Sequence, residues 1–358
     1  MDNNLQMNNL IEESVNSDEK IINPSLENVS YDSRSCADLN RMCTTKQLEI
    51  QPYFQRNFVW KPAVQTCFID SLIKGLPIPS LFIAKDTKTD RLMVIDGLQR
   101  LSTIVKFFGE EKWKLNKLSD INKNISGKSN LKIKRDMPDL YAKVENTTIP
   151  VTTIKCDFSI AGQRENLFNI FNRINTGGQK LNHQEIRNCI YNGKFNNLLK
   201  DIANSDDWKS IIRETNKNVR LESEEMVLRI YAFIDKLDNY KEPLAKFLNN
   251  YMSEKQNISE DDITDMKTKL FSSLSLIKDN FNDNKTVFDL GKTKQEALLI
   301  GVYSNIDTLT SKSKEEFQSI FESFINDEEF NAENLKQGLA KKDKVQSRLK
   351  KSISIFKG

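Results

Sequence analysis

The densest chemistry in the chain lies in five residues, Asp96-Gly97-Leu98-Gln99-Arg100, placed where the apolar row Leu92–Ile95 gives way to a different spacing. A carboxylate can orient a water or hold a hydrated metal ion. An arginine fork can grip two phosphate oxygens. Leu98, Leu101, Val105 and Phe108 recur at steps of three and four, with Gln99, Ser102, Thr103 and Lys106 off that stripe. The motif is therefore expected on a strand-to-helix turn, with Asp96 at the N-cap and Gly97 permitting a tight or positive-φ bend. The free N–H groups of such a helix start form an anion seat to which Gln99 and Arg100 add donors. Spacing alone leaves a second reading open, a capped helix with a solvated arginine.

A second polar break follows at Arg173, Asn175, Gly177-Gly178 and Gln179. The helical restart is well specified: Asn182 as N-cap, Glu185 completing a capping box, Leu181 and Ile186 as a hydrophobic staple. Phosphates or a metal's water shell could approach this glycine turn, and a plain hinge fits equally. His183, the only histidine, is expected at the surface. Its solitude excludes an HNH nuclease centre and a histidine-cluster metal site. Gly127-Lys128-Ser129 copies the tail of a P-loop, but the earlier glycine the loop requires is Asn122, and no apolar strand precedes it.

Several elements must position these residues. "QLEIQPYFQRNFVW" reads as a short strand running into an irregular segment. Pro62 opens a helix whose inner face is expected at Val64, Cys67, Phe68, Ser71 and Leu72, closed by Gly75. "IPSLFIAK" and "RLMVID" read as paired strands. An Asn/Lys-rich stretch from Asn116 to Asp136 reads as an insertion or long loop. Beyond Ser159 nearly every segment has helical period. The chain of 358 residues thus divides into a polar lead-in (1–35), an α+β core (36–156), a helical continuation (157–256) and a C-terminal helical region (257–358).

Composition narrows the function classes. A net charge of +3 points to no partner, but Lys336–Gly358 holds eight basic residues against the single acid Asp343. Val345, Leu349, Ile353 and Phe356 run through that tail at helical spacing. It is either a docked helix with a solvated lysine face or a DNA-binding arm built from Lys341, Lys342, Lys344, Arg348, Lys350 and Lys351. The five cysteines show no close pairing, and Cys67 and Cys189 fall in apolar periodic segments where thiols usually pack as small hydrophobes. No signal peptide and no apolar membrane-spanning window is present, so a reducing cytoplasm is expected.

Four ordered motifs, "QPYFQRNFVW", "LIKGLPIPSLFIAK", "VIDGLQRLSTI" and "FNRINTGGQKLNHQEIRN", resemble the N-terminal domain of GmrSD-type restriction enzymes, within the wider ParB/sulfiredoxin-like group. "RLESEEMVLRIYAF" extends the likeness, which covers roughly Leu39 to Met252. The resemblance implies a ParB-like mixed-sheet core with a mostly helical second half, and a site for a nucleoside triphosphate with Mg2+. The family's DGQQR motif stands here as Asp96-Gly97-Leu98-Gln99-Arg100, with leucine in place of a glutamine. By the resemblance, Asp96, Gln99 and Arg100 are catalytic candidates, with Asp96 also holding the metal through water. Gln55, Arg56, Gly97, Arg173 and Asn175 are the nucleotide-binding candidates. Longer relatives add an HNH domain that this sequence lacks. The expected function is an NTP-binding and hydrolysing component of a DNA restriction or anti-phage system, with DNA and a separate nuclease chain as candidate partners and homo-oligomerisation open. The alternatives are a metal-dependent DNase using the same core, or a non-enzymatic DNA-binding regulator.

Overall fold

The structure, a computed structural model, describes residues 28–49, 60–174, 182–212, 221–281, 287 and 290–358. They divide into two compact units, one before residue 182 and one from Asn182 to Gly358.

The front unit is α+β, as expected. Its elements run β1 (Val29–Ser35), α1 (Cys36–Thr44), β2 (Leu48–Glu49), α2 (Pro62–Ile73), β3 (Leu81–Asp86), β4 (Leu92–Asp96), α3 (Leu98–Phe108), α4 (Asn130–Asp136), α5 (Pro138–Asn146), β5 (Thr148–Cys156) and α6 (Ala161–Ile174). The sheet order is β1-β5-β3-β4-β2. β3 pairs antiparallel with β4 and parallel with β5, and β4 and β5 are flanked in turn by β2 and β1, so all three lie inside the sheet. At the β1 edge, the Ser33 N–H is taken by its neighbour's side chain, Asp32 Oδ1, at 2.8 Å.

Helices α1, α2, α3 and α5 contribute Leu39, Met42, Phe68, Ile69, Leu72, Leu101, Ile104, Phe107 and Val144 to one core cluster with β3 and β4. Pro62 does open α2, and Gly75 ends it at φ +66° with the Leu76 N–H reaching Ser71 O. The expected inner face of α2 is corrected. Val64 and Cys67 are exposed, whereas Gln65, Thr66, Ile69 and Ile73 are buried beside Phe68 and Leu72. The polar members can turn inward because their side chains bond to Trp60 O and Pro62 O. In α3, Ser102 and Thr103 are likewise buried, and Val105 is only half-buried.

The second unit is helical: α7 (His183–Ile190), α8 (Lys194–Asn204), α9 (Asp206–Ile211), α10 (Glu222–Lys236), α11 (Leu244–Glu254), α12 (Glu260–Asn280), α13 (Lys292–Ser304), α14 (Ile306–Leu309), α15 (Lys314–Asn326) and α16 (Lys342–Lys357). The final helix α16 docks through Val345, Leu349 and Phe356, all buried. Gly301 of α13 permits the close crossing, since a Cβ there would lie 2.5 Å from both Phe356 Cδ2 and Ser352 Oγ. Among the described residues no helix is long and apolar enough to cross a membrane.

Candidate functional site

Asp96 is the last residue of β4, and the chain turns into α3 through Gly97 at φ +94°. Two independent constraints fix glycine here. The left-handed backbone disfavours any Cβ, and a Cβ would overlap the Leu81 side chain of the adjacent strand. The N-cap is Gly97 rather than Asp96, and no side chain caps the helix, so its first N–H groups remain available. The Asp96 carboxylate is occupied instead by Arg100, whose Nη2 reaches Oδ2 at 2.7 Å.

The solvated-arginine reading fails on this geometry. Arg100 is mostly buried, and its guanidinium also donates to Pro79 O and, at 3.3 Å, to Ser80 O. Burial pulls its pKa below the ordinary arginine value, and the Asp96 charge partly restores it. Arg100 therefore ties the segment entering β3 to the end of β4 and fixes the carboxylate's direction. Asp96 Oδ1 keeps no protein partner among the described residues, and the side chain is about one-quarter exposed. Leu98 packs against the core cluster, which explains an apolar residue inside an otherwise polar motif.

Gln99 has a positional task as well. Its Oε1 accepts the Trp60 N–H at 3.3 Å, while Gln65 Nε2 donates to Trp60 O at 2.8 Å. Both main-chain polar groups of Trp60 are thus held by carboxamides. Lys106 Nζ donates to Gln65 Oε1 at 3.1 Å and lies 4.8 Å from the Trp113 ring centroid. Sequence reasoning missed Gln65 and Trp60. The signal available was Gln65 sharing a helix face with Ile69 and Leu72, which an apolar-only reading discards.

Gly97 lies in the turn itself; Gln55, Arg56 and Asn175 lie outside the described residues. Arg173 is exposed in the last turn of α6, a helix that packs on β4 and β5. In the helical unit the capping box forms as expected, Asn182 Oδ1 accepting from Glu185 N and Glu185 Oε2 accepting from Asn182 N, both at 2.8 Å. His183 is half-buried rather than at the open surface. Its burial, with Arg187 nearby, pushes its pKa below the usual histidine value.

Among the basic residues of α16, Arg348 requires a correction. It is 2% exposed and donates to Leu339 O, so its guanidinium is not presented to solvent or to DNA. Lys350 and Lys351 are in ion pairs with Asp238 (2.7 Å) and Asp327 (3.1 Å), and Lys344 Nζ donates to Gln337 O at 3.0 Å. Lys341 and Lys342 are exposed.

Residues 39–192 match the family model described as GmrSD restriction endonuclease, N-terminal domain. Over those residues the chain is similar to a GmrSD N-terminal domain. No curated protein and no solved structure matches the chain. The GmrSD match takes in the Asp96 turn and extends through α7. That helix is unusual, because Gln184, Glu185, Arg187 and Asn188 are all buried. Arg187 bonds to Gln184 Oε1 at 2.8 Å and to Glu225 of α10, and Asn188 donates to Glu224 Oε2 at 2.6 Å. Buried charge of this kind is tolerated only when paired, so polar contacts join α7 to α10 beside the buried Ile186, Cys189 and Ile190.

Proposed function

We propose that this protein is the DNA-acting component of a restriction or phage-defence system, and that the Asp96–Arg100 turn is its Mg–nucleoside triphosphate site. The observation that carries the site is the conjunction at Gly97. An uncapped helix start, whose amides attract anions, adjoins a carboxylate held in one direction by a buried arginine. The GmrSD match carries the restriction context.

The residues present fit that cofactor. Among the described residues no three His, Cys, Asp or Glu side chains form a metal cage. Magnesium does not need one, since it retains several waters and binds through one or two carboxylates together with substrate phosphates. When bound, the ion supplies positive charge that offsets the charge of the triphosphate. Asp96 Oδ1 is the oxygen placed to hold the hydrated ion or orient a water. The α3 amides receive phosphate oxygens. Arg100 is a positioning residue for Asp96, and Gln99 for the Trp60 main-chain N–H. Gln55, Arg56, Arg173 and Asn175 are assigned to the phosphates on the family likeness. In this scheme a variant DGxQR motif keeps its function because Leu98 faces the core.

A calorimetric panel of nucleoside triphosphates with magnesium tests the site. Wild type should bind at least one nucleotide, and Asp96→Asn should weaken its magnesium-dependent component by about tenfold, roughly one unit in log Kd. Arg100→Lys should weaken it by a smaller factor, because a point charge cannot hold Asp96 and both carbonyls together. Absence of binding by wild type, or unchanged affinity in Asp96→Asn, rejects the site.

A further inference from the structure

The stretch expected to be an insertion or loose loop is neither loose nor neutral. From Lys112 to Lys134 it contains seven lysines against the single acid Asp120, almost the same imbalance as the C-terminal tail. Glu110 and Glu111 stand just before it, and Asp136 just after is paired with Arg135.

The segment is fastened down at several points. Trp113, Leu115, Ile121, Ile125 and Ile133 are buried in the front-unit core. Lys114 and Ser129 form an isolated antiparallel bridge, with the Leu115 N–H on Lys128 O at 2.9 Å. Thr66 Oγ1 accepts the Asn116 N–H and Asp70 Oδ1 accepts the Asn122 N–H, both at 2.9 Å. Asn130, almost fully buried, accepts from Trp113 N at 2.9 Å and donates to the carbonyls of Phe107, Gly109 and Glu111 at 3.0–3.2 Å. With the apolar residues pinned inward, Lys112, Lys114 and Lys117 are left exposed. Lys123 and Lys132 are exposed as well, with Lys128 half-buried beside them. None of these six lysines forms an ion pair among the described residues.

We infer that this lysine-bearing hairpin is the surface through which the GmrSD-like domain grips the phosphate backbone of duplex DNA. The inference rests on the DNA-acting part of the function proposed above, and it is independent of the nucleotide site. A cation already paired with a carboxylate releases little free energy on meeting a phosphate, because one ion pair is exchanged for another. An unpaired lysine on a rigid support neutralises a phosphate with the release of condensed counterions and loses little chain entropy. The hairpin lysines satisfy both conditions. The paired Lys350 and Lys351 of α16 do not.

Fluorescence anisotropy with a labelled duplex over a potassium chloride series tests this on the full chain. Each phosphate contact contributes about 0.9 to the slope of log K against log salt. The triple variant Lys114→Gln, Lys117→Gln, Lys128→Gln should lower that slope by roughly 2 to 3 and weaken binding at least about tenfold near physiological salt. The matching triple arginine variant should retain wild-type binding, which separates lost charge from lost folding. The control variant Lys344→Gln, Lys350→Gln, Lys351→Gln should stay within about twofold of wild type. Wild-type binding by the hairpin glutamine variant overturns the inference, as does a loss confined to the α16 variant. A wild-type protein that binds no duplex at any salt overturns both the inference and the DNA-acting reading. Nucleotide binding in the same preparation would then stand as a separate result.

Discussion

Two segments of this protein, 112–134 and 336–358, hold seven lysines each and differ in how they use them. The 112–134 hairpin points its lysines outward, unpaired, from a backbone bonded to the core at Thr66, Asp70 and Asn130. Helix α16 lies against the rest of the helical unit with Arg348 buried and Lys350 and Lys351 matched to acids. A run of positive charge in a sequence therefore does not identify a binding face. What matters is the charge left over after folding, and that depends on acids such as Asp238 and Asp327, far away in sequence.

The helical unit shows the same habit more widely. Arg187, Glu224, Glu296 and Arg348 are each 1–2% exposed. Three measurements would sharpen or break the contrast between charge that is hidden and charge that is displayed. The largest effect is expected at Arg229, which holds Glu296 through two bonds, at 2.6 and 2.9 Å. Arg229→Met strands a buried carboxylate and should cost about 3–5 kcal/mol in urea unfolding. A loss under about 1 kcal/mol would show that the pair is solvated and the contrast overstated. Asn130→Ala comes next. It leaves the Trp113 N–H and three carbonyls without their side-chain partner, at a cost of about 2–3 kcal/mol, and should open the hairpin to proteolysis. An uncut hairpin with unchanged stability would show that the apolar anchors suffice.

The smallest effect is expected at Glu224, whose carboxyl is pushed above the usual range by burial, partly offset by the Asn188 bond. The folded protein therefore holds that proton more tightly than the unfolded chain. Stability from this group is complete below the unfolded pKa and declines as pH rises through the folded one. Glu224→Gln can keep the Asn188 bond without the charge. It should match wild type in acid and exceed it at neutral and alkaline pH, measured as denaturant midpoints over a pH series. Parallel curves at all pH values would assign the difference to packing instead.

Features set by nearest neighbours were legible in the sequence. The paired strands β3 and β4, the bend at Gly97, Pro62 at a helix start and the Asn182–Glu185 box all arise from residues a few positions apart. The α+β front half and helical back half followed from the change in period. Reading failed where polar groups turn inward. On α2, Val64 and Cys67 looked like core, yet Gln65 and Thr66 displace them because each finds a backbone partner. On α3, Arg100 looked like a free phosphate grip, yet it is occupied by Asp96, Pro79 and Ser80. The buried charges of α7 were invisible because their partners arrive from α10, more than thirty positions later. A single sequence shows which groups are polar, but not which of them will meet.

The Asp32 side chain at the β1 margin has a consequence for crowding on a target. A terminal strand with vacant amides invites a foreign strand to join it, so molecules concentrated along one nucleic acid could weld into fibres. Here the Ser33 amide is already engaged by its own chain, with Arg34 bracing the same carboxylate at 3.3 Å. At that one position of the strand, lateral addition of a second chain would first have to displace a bond the protein makes to itself.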